Sequence, residues 1–263
     1  MLPPWPTPGT KELIREPMKN KTILITGGTT GIGLATAQLL IADGANVIVT
    51  GRSPETLASA KKILPDAVVL SSDAGDLSSA LALGGDVKKY VEQLDGAFLN
   101  AGIGTFAPLE VVTPRQYDDT FNVNVRGLYF ELQSLLPLLS NPSCVVFTSS
   151  IAGSLAVAAT SIYSATKAAV ISLGKTLAVE LAPRGVRVNV LSPGPIDTPL
   201  LKKVGLPPEQ EKEFVKTVVA KSLFKRLGTA EEVARAARFL LSEEESSNIT
   251  GIELVIDGGV RLN

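Results

Sequence analysis

Tyr163 stands four residues before Lys167 in the segment SIYSATKAAV, residues 161–170. A helix repeats every 3.6 residues, so the two side chains leave it on the same face. A free tyrosine gives up its proton only near about 10 and is a poor acid or base at neutral pH. An ammonium beside it favours the phenolate, and the pair then becomes a candidate for proton transfer. Bringing the phenol towards neutrality asks about 3–4 kcal/mol of the surroundings, which a charge in a partly dry cleft can supply. Ser150, at the end of the run VVFTSS, offers a hydroxyl donor to an oxygen on which charge develops. Asn124 occupies an apolar position of a helical pattern, where an amide competes with backbone bonding. Its expected task is to order a water beside Lys167, and Asn122, on another side of the helix, is the competing amide. Taken singly, these are equally a packed aromatic, a solvated lysine and a loop hydroxyl. The rest of the chain decides.

A second group of residues has the chemistry of anion binding. The turn TGGTTGIG, residues 26–33, carries glycines at 27, 28, 31 and 33 between an apolar run and a helical pattern. It departs from the common G-x-G-x-x-G spacing, but the physics is shared. Gly27 and Gly31 open backbone conformations closed to other residues, and Gly33 lets the helix approach the strand. Bare backbone and a helix N-terminus then face a pyrophosphate. About twenty residues on, where an acidic residue would bind a ribose 2′-hydroxyl, the sequence reads VIVTGRSPE. Arg52 in that place favours a 2′-phosphate, hence NADP(H) over NAD(H); the alternative is a solvated arginine at a strand end.

Composition removes other chemistries. The 263 residues contain no histidine, so a His-based triad, an HExxH zinc site and an imidazole base are excluded. Cys144 is the single cysteine, within the apolar run SCVVF, which suits a core residue in a reducing cytoplasm better than a nucleophile. A net charge of −1 gives no footprint for nucleic acid or an anionic membrane, and apolar runs are too short for a membrane span. Hydrophobic residues make up 45% of the chain, enough for a sizeable core.

The elements that must position these groups are legible as an alternation. Strand candidates are 22–26, 46–50, 67–70, 96–100, 144–149, 186–192 and 253–257, several apolar at every position, as strands covered on both faces are. Helical patterns such as 33–44, 115–139 and 163–181 lie between them. Such alternation predicts an α/β fold with a doubly wound, mostly parallel seven-stranded sheet and helices on both faces. Residues 1–17, with five prolines and no secretory apolar stretch, are expected to be a flexible arm or an artificial extension, with Trp5 a docking side chain. Residues 18–263 form the expected single Rossmann-type domain. Residues 198–226 sit where a substrate lid would be.

In this order, the motifs resemble those of the short-chain dehydrogenase/reductase family in its compact form. They are TGGTTGIG at 26–33, Asp73, NAG at 100–102, NVNV at 122–125, Ser150, YSATK at 163–167, LSPGPIDTPL at 191–200 and DGG at 257–259. The resemblance implies that Asn124, Ser150, Tyr163 and Lys167 are the catalytic set. It implies cofactor contacts from Gly27, Thr29, Thr30, Gly31, Ile32 and Arg52, with Asp73 on the adenine amino group. Asn100, Ala101 and Gly102 would line the cleft, Asn100 also steadying the sheet. Pro193, Gly194 and Ile196 would flank the nicotinamide, and Thr198 would touch its carboxamide or the phosphates. Tyr163 and Lys167 would also touch the cofactor. A homotetramer or homodimer packed through the long helices is implied as well.

The substrate expected is a small carbonyl compound or alcohol. Residues 151–162 are small, apolar and uncharged, and Leu200, Leu201 and Val204 would wall a pocket suited to ketones and secondary alcohols with apolar substituents. Lys202 and Lys203 are either an anion attractor or solvated. Two other classes stay open: a nucleotide-binding sensor without chemistry, and an enzyme that uses the same cofactor for another net reaction.

Overall fold

The computed structural model describes residues 18–200 and 208–262. The proline-rich leader with Trp5, and the lid residues Leu201, Lys202, Lys203 and Val204, lie outside the described residues. Seven strands form one sheet: β1 Thr22–Thr26, β2 Asn46–Gly51, β3 Val68–Ser71, β4 Leu94–Leu99, β5 Leu139–Thr148, β6 Val186–Pro193 and β7 Glu253–Ile256. Their spatial order is β3-β2-β1-β4-β5-β6-β7. Every pair in it is parallel, as the apolar strands and intervening helices predict.

Alternate residues of each strand face opposite layers. Leu24, Val145 and Phe147 belong to one core, which Leu132, Leu135 and Val170 complete from α5 (Leu128–Leu135) and α6 (Ser161–Leu181). Ile23, Ile25 and Val146 belong to the other, beneath Leu40 of α1 (Gly31–Ala42) and Val233 and Leu240 of α8 (Ala230–Leu241). Cys144 lies wholly buried in that second core, and burial pushes its thiol up to about 12, so it is inert.

Local signals set the helix ends. Thr113 and Gln116 form a reciprocal capping box at the start of α4 (Pro114–Phe121), and Thr229 and Glu232 repeat it on α8. Pro54 opens α2 (Pro54–Ile63), and Asp76 caps α3 (Leu77–Lys88) by accepting from the Ser78 and Ser79 amides. The segment expected to form a lid contains α7 (Pro208–Lys221), and a short α9 (Glu243–Ser246) follows α8.

The long helix expected over 115–139 is interrupted. A π-helical turn at Asn122–Gly127 separates α4 from α5, and β5 already begins at Leu139. Close packing accompanies the break. A Cβ on Gly127 would stand only 2.0 Å from the Ala74 carbonyl oxygen, so the helix is seated hard against the loop after β3. π-turns of this kind mark places where a helix is re-aimed, here at Asn124.

Candidate active site

The strand order reverses direction between β1 and β4, which opens a crevice at their carboxyl ends. The glycine turn lines one side of it. Gly27 and Gly31 have positive φ, 62° and 53°, as the turn requires. Gly33 is needed for space rather than for its dihedral angles, since a Cβ there would lie 2.4 Å from the Gly27 carbonyl oxygen. The helix that follows has an open N-terminus. Thr30 makes no side-chain capping bond, and the first turn of α1 carries no acidic residue. Free backbone amides and the helix dipole therefore face the crevice, a setting suited to phosphate. Thr198 closes the far side, its Cβ 3.5 Å from where a Cβ of Gly31 would be. These features fit a dinucleotide.

Behind the turn, Asn100 ties three strands together. Its amide nitrogen donates to the Thr26 and Gly27 carbonyls, both at 3.3 Å, and its oxygen accepts from Thr148 Oγ1 at 3.0 Å. Thr26 Oγ1 accepts from the backbone amides of Asn100 and Ala101. Beyond the end of β2, Arg52 reaches Asp73 at 3.8 Å, both side chains being substantially exposed. Thr29 is buried, its hydroxyl 3.1 Å from that of Thr56, while Thr30 is exposed and Ile32 half-buried against the second core. Pro193 ends β6, the Gly194 amide donates to the Ile256 carbonyl, and Ile196 pairs with Gly228 across an isolated bridge.

Tyr163, Ser150, Lys167 and Asn124 meet at the mouth of this crevice. Tyr163 is buried, and the Ser150 hydroxyl bonds its phenol. Lys167 Nζ donates to the Thr148 carbonyl at 2.9 Å and lies 5.7 Å from the centroid of the Tyr163 ring. Gly102 leaves room beside it, since a Cβ there would sit 3.4 Å from Nζ. Burial lowers the Lys167 ammonium to about 8. Burial also raises the phenol, against the lowering contact from Ser150. Burial outweighs the lowering expected from Lys167. Both groups have been taken out of water, and the ammonium spends a bond on Thr148 rather than on the phenol oxygen. A raised phenol keeps its proton at neutral pH, the form a proton donor needs.

Asn124 is held between the loop after β4 and α6. Its oxygen accepts from the Ile103 amide at 2.8 Å, and its nitrogen donates to the Ile103 carbonyl and to Thr166 Oγ1. With three bonds made, the carboxamide is a brace. It clamps the loop after β4 to the residue next to Lys167, and its oxygen keeps capacity for one further acceptor bond. The sequence reading did not find Thr26, Thr148, Thr166 or the loop residues Ile103, Gly104 and Phe106. Nothing in their types signals the site, and only the crossing of β1, β4, β5 and α6 brings them there.

Glu131 was missed as well. It lies on α5, 1% exposed, in an otherwise apolar pattern. Burial pushes its carboxyl up to about 7 from an ordinary 4.5; the Thr26 hydroxyl bond lowers it, and nearby Asp73 raises it. The unfolded chain ionises this group near its ordinary value, whereas the fold holds the proton up to about 7. Its contribution is therefore most favourable at low pH and declines as pH rises between those values, by roughly 3 kcal/mol in all. Glu131→Gln removes this dependence. Urea denaturation should show the variant gaining on the parent between about pH 5 and about pH 8; a constant difference would show that Glu131 does not titrate there.

Comparison with known proteins agrees with this geometry. The family model described as Enoyl-(Acyl carrier protein) reductase matches residues 27–261. The 3-oxoacyl-acyl-carrier-protein reductase of Thermotoga maritima is 36% identical over 254 residues, covering 92% of this chain and 98% of that protein. Cyclohexanol dehydrogenase of Acinetobacter sp. is 34% identical over 258 residues, covering 94% and 98%. A short-chain dehydrogenase from Burkholderia cenocepacia, solved in complex with NADP, superposes with a TM-score of 0.82 at 30% identity, covering 93% of this chain and 99% of that one. A parallel doubly wound sheet with a glycine turn at its switch point defines a Rossmann-type nucleotide-binding protein. More narrowly, the chain belongs to the short-chain dehydrogenase/reductase family of oxidoreductases.

Proposed function

We propose that the chain transfers a hydride between NADP(H) and a ketone or secondary alcohol, with Tyr163 moving the proton. The observation that carries this reading is the meeting of Ser150, Tyr163 and Lys167 at the mouth of a crevice whose other end is an open helix N-terminus. A bound nicotinamide dinucleotide supplies or takes the hydride. Ser150 holds the substrate oxygen by a hydrogen bond that strengthens as charge develops there. Tyr163 gives that oxygen its proton in reduction and takes it back in oxidation. Lys167, held by the Thr148 carbonyl, keeps a positive charge beside the ring and steadies the phenolate left behind. Asn124 positions Ile103 and Thr166, and so the two walls of the site.

Arg52 supports the phosphorylated cofactor, since its side chain is 59% exposed at the end of β2 and only loosely paired with Asp73. The NADP complex of the Burkholderia relative is in keeping with this. A ketone panel offered NADPH and NADH, followed by nicotinamide absorbance, tests the reading. The parent protein should turn over faster with NADPH, and Arg52→Asp should reverse the preference by at least about tenfold in kcat/KM, from loss of a charge-assisted phosphate contact. Unchanged preference would remove Arg52, and no turnover with either cofactor would remove the reaction.

The proposal extends to a homotetramer or homodimer built through α4, α5 and α6, whose outer surfaces leave Tyr117, Tyr129 and Val179 exposed. A cytoplasmic setting suits the lone buried thiol. Among the described residues no helix is long and apolar enough to cross a membrane, and no cluster of side chains could hold a metal.

A further inference from the structure

Glu131 is a buried carboxyl that the proton transfer above does not use. Its neighbours along α5, Leu128, Leu132 and Leu135, all belong to the core. The Thr26 hydroxyl, at the end of β1, bonds its carboxyl. Thr26 Oγ1 also accepts from the Asn100 amide at 3.1 Å and the Ala101 amide at 3.2 Å, which uses both of its lone pairs. The hydroxyl proton is then left for Glu131, and the carboxyl is the acceptor. Asn100 in turn donates to the Thr26 and Gly27 carbonyls. One row of hydrogen bonds therefore runs from Glu131 to the floor of the crevice and the first glycine of the phosphate turn.

The charges on the elements around α5 are engaged elsewhere. Asp95 on β4 pairs with Lys21, Asp86 on α3 with Lys89, and Asp76 caps α3. Lys88 on α3 is exposed. Arg126 on the π-turn donates to the Gly75 carbonyl, and Lys167 on α6 to that of Thr148. Asp73, after β3, is the charge that acts on the Glu131 carboxyl, and it too is negative. Among the described residues, none of these cations bonds Glu131. An ionised Glu131 therefore sets a second negative charge behind a turn suited to phosphate.

We propose that Glu131 is a positioning residue for the dinucleotide, acting through Thr26, and that dinucleotide binding is coupled to the proton Glu131 holds. This rests on the dinucleotide-binding part of the reading above. The neutral acid accepts the Thr26 proton on one oxygen and keeps its own proton on the other. The ionised group repels the phosphates, so a bound dinucleotide favours the neutral acid. By reciprocity, the neutral acid favours the dinucleotide. Burial pushes the free protein's carboxyl up to about 7, and a bound dinucleotide raises it further. Affinity is therefore highest below that pH and falls as pH rises through it, levelling once the carboxyl ionises in the complex as well.

The experiment measures the dissociation constant of NADPH against pH for the parent, Glu131→Gln and Glu131→Leu proteins, with circular dichroism to confirm each fold. Groups on the cofactor, Tyr163 and Lys167 titrate in all three, so the comparison isolates Glu131. Glutamine keeps the acceptor for Thr26 and cannot ionise. The ratio of the parent's dissociation constant to that of Glu131→Gln should rise about fivefold or more between about pH 6 and about pH 8.5. Glu131→Leu removes the acceptor and should bind at least about threefold more weakly than Glu131→Gln at every pH. Carboxyl-carbon NMR of the parent needs no variant, and should show Glu131 titrating at higher pH with NADPH bound than without. A pH-independent ratio, or a Glu131 titration unmoved by NADPH, overturns the proton coupling. Equal affinities in the two variants overturn the route through Thr26. If the parent binds neither NADPH nor NADH, the inference falls together with the dinucleotide reading.

Discussion

Tyr163→Phe should lower ketone reduction by about 10²–10⁴-fold in kcat while leaving dinucleotide affinity nearly unchanged, the range expected when a positioned general acid is removed. The substitution deletes one oxygen and keeps the ring. The edge-on contact with Phe106 and the packing of the N-terminal turn of α6 therefore survive. What disappears is the hydroxyl bonded to Ser150 and the proton it delivers. Because burial holds the phenol protonated, water is a poor substitute within the same dry mouth of the cleft. Steady-state kinetics with both reduced cofactors, together with fluorescence titration of NADPH, check the prediction. A variant with full activity would take Tyr163 out of the chemistry, whereas lost cofactor affinity would make its role structural.

Gly33→Ala should weaken dinucleotide binding by roughly 30- to 100-fold and leave the protein folded. The added methyl has nowhere to go. It would meet the Gly27 carbonyl oxygen at 2.4 Å, Asn100 Nδ2 at 2.8 Å and Gly28 Cα at 2.9 Å, and two of these are backbone atoms. The glycine turn must therefore lift off α1, which breaks the bond from Asn100 to the Gly27 carbonyl and moves the amides away from the phosphates. Overpacking of this kind costs about 1–3 kcal/mol, and each 1.4 kcal/mol is about tenfold in affinity. Calorimetric titration with NADPH measures the loss, and circular dichroism confirms the fold. Parent-like affinity would show that the turn yields without moving its amides.

The scaffold was readable because its signals are short-range and repeated. Most strands are short apolar runs, several rich in β-branched residues, and helical spacing fills the crossovers between them. The interruption at Asn122–Gly127 was not readable, since the apolar spacing continues through it. The close seat of Gly127 on Ala74 is a contact with a segment about fifty residues away, and no local pattern carries it. Glu131 escaped notice for the same reason. On a solvated helix face it would be an ordinary carboxylate, and only its burial, against the lowering Thr26 hydroxyl and with Asp73 nearby, pushes it up to about 7.

The amino-acid order alone determined which side chains can do chemistry. The spacing of Tyr163 and Lys167 puts them on one helix face, the glycines at 27, 31 and 33 demand a tight turn, and the missing histidines exclude an imidazole acid or base. Helix periodicity and backbone sterics act over a few residues, so they are written in the sequence itself. Tertiary structure alone decided what those side chains experience. It buried the phenol and the ammonium together, tied Asn124 to Ile103 and Thr166, and laid Gly104 and Phe106 against the ring. Desolvation and packing depend on atoms from distant strands arriving at one place, and that arrival is a property of the folded sheet.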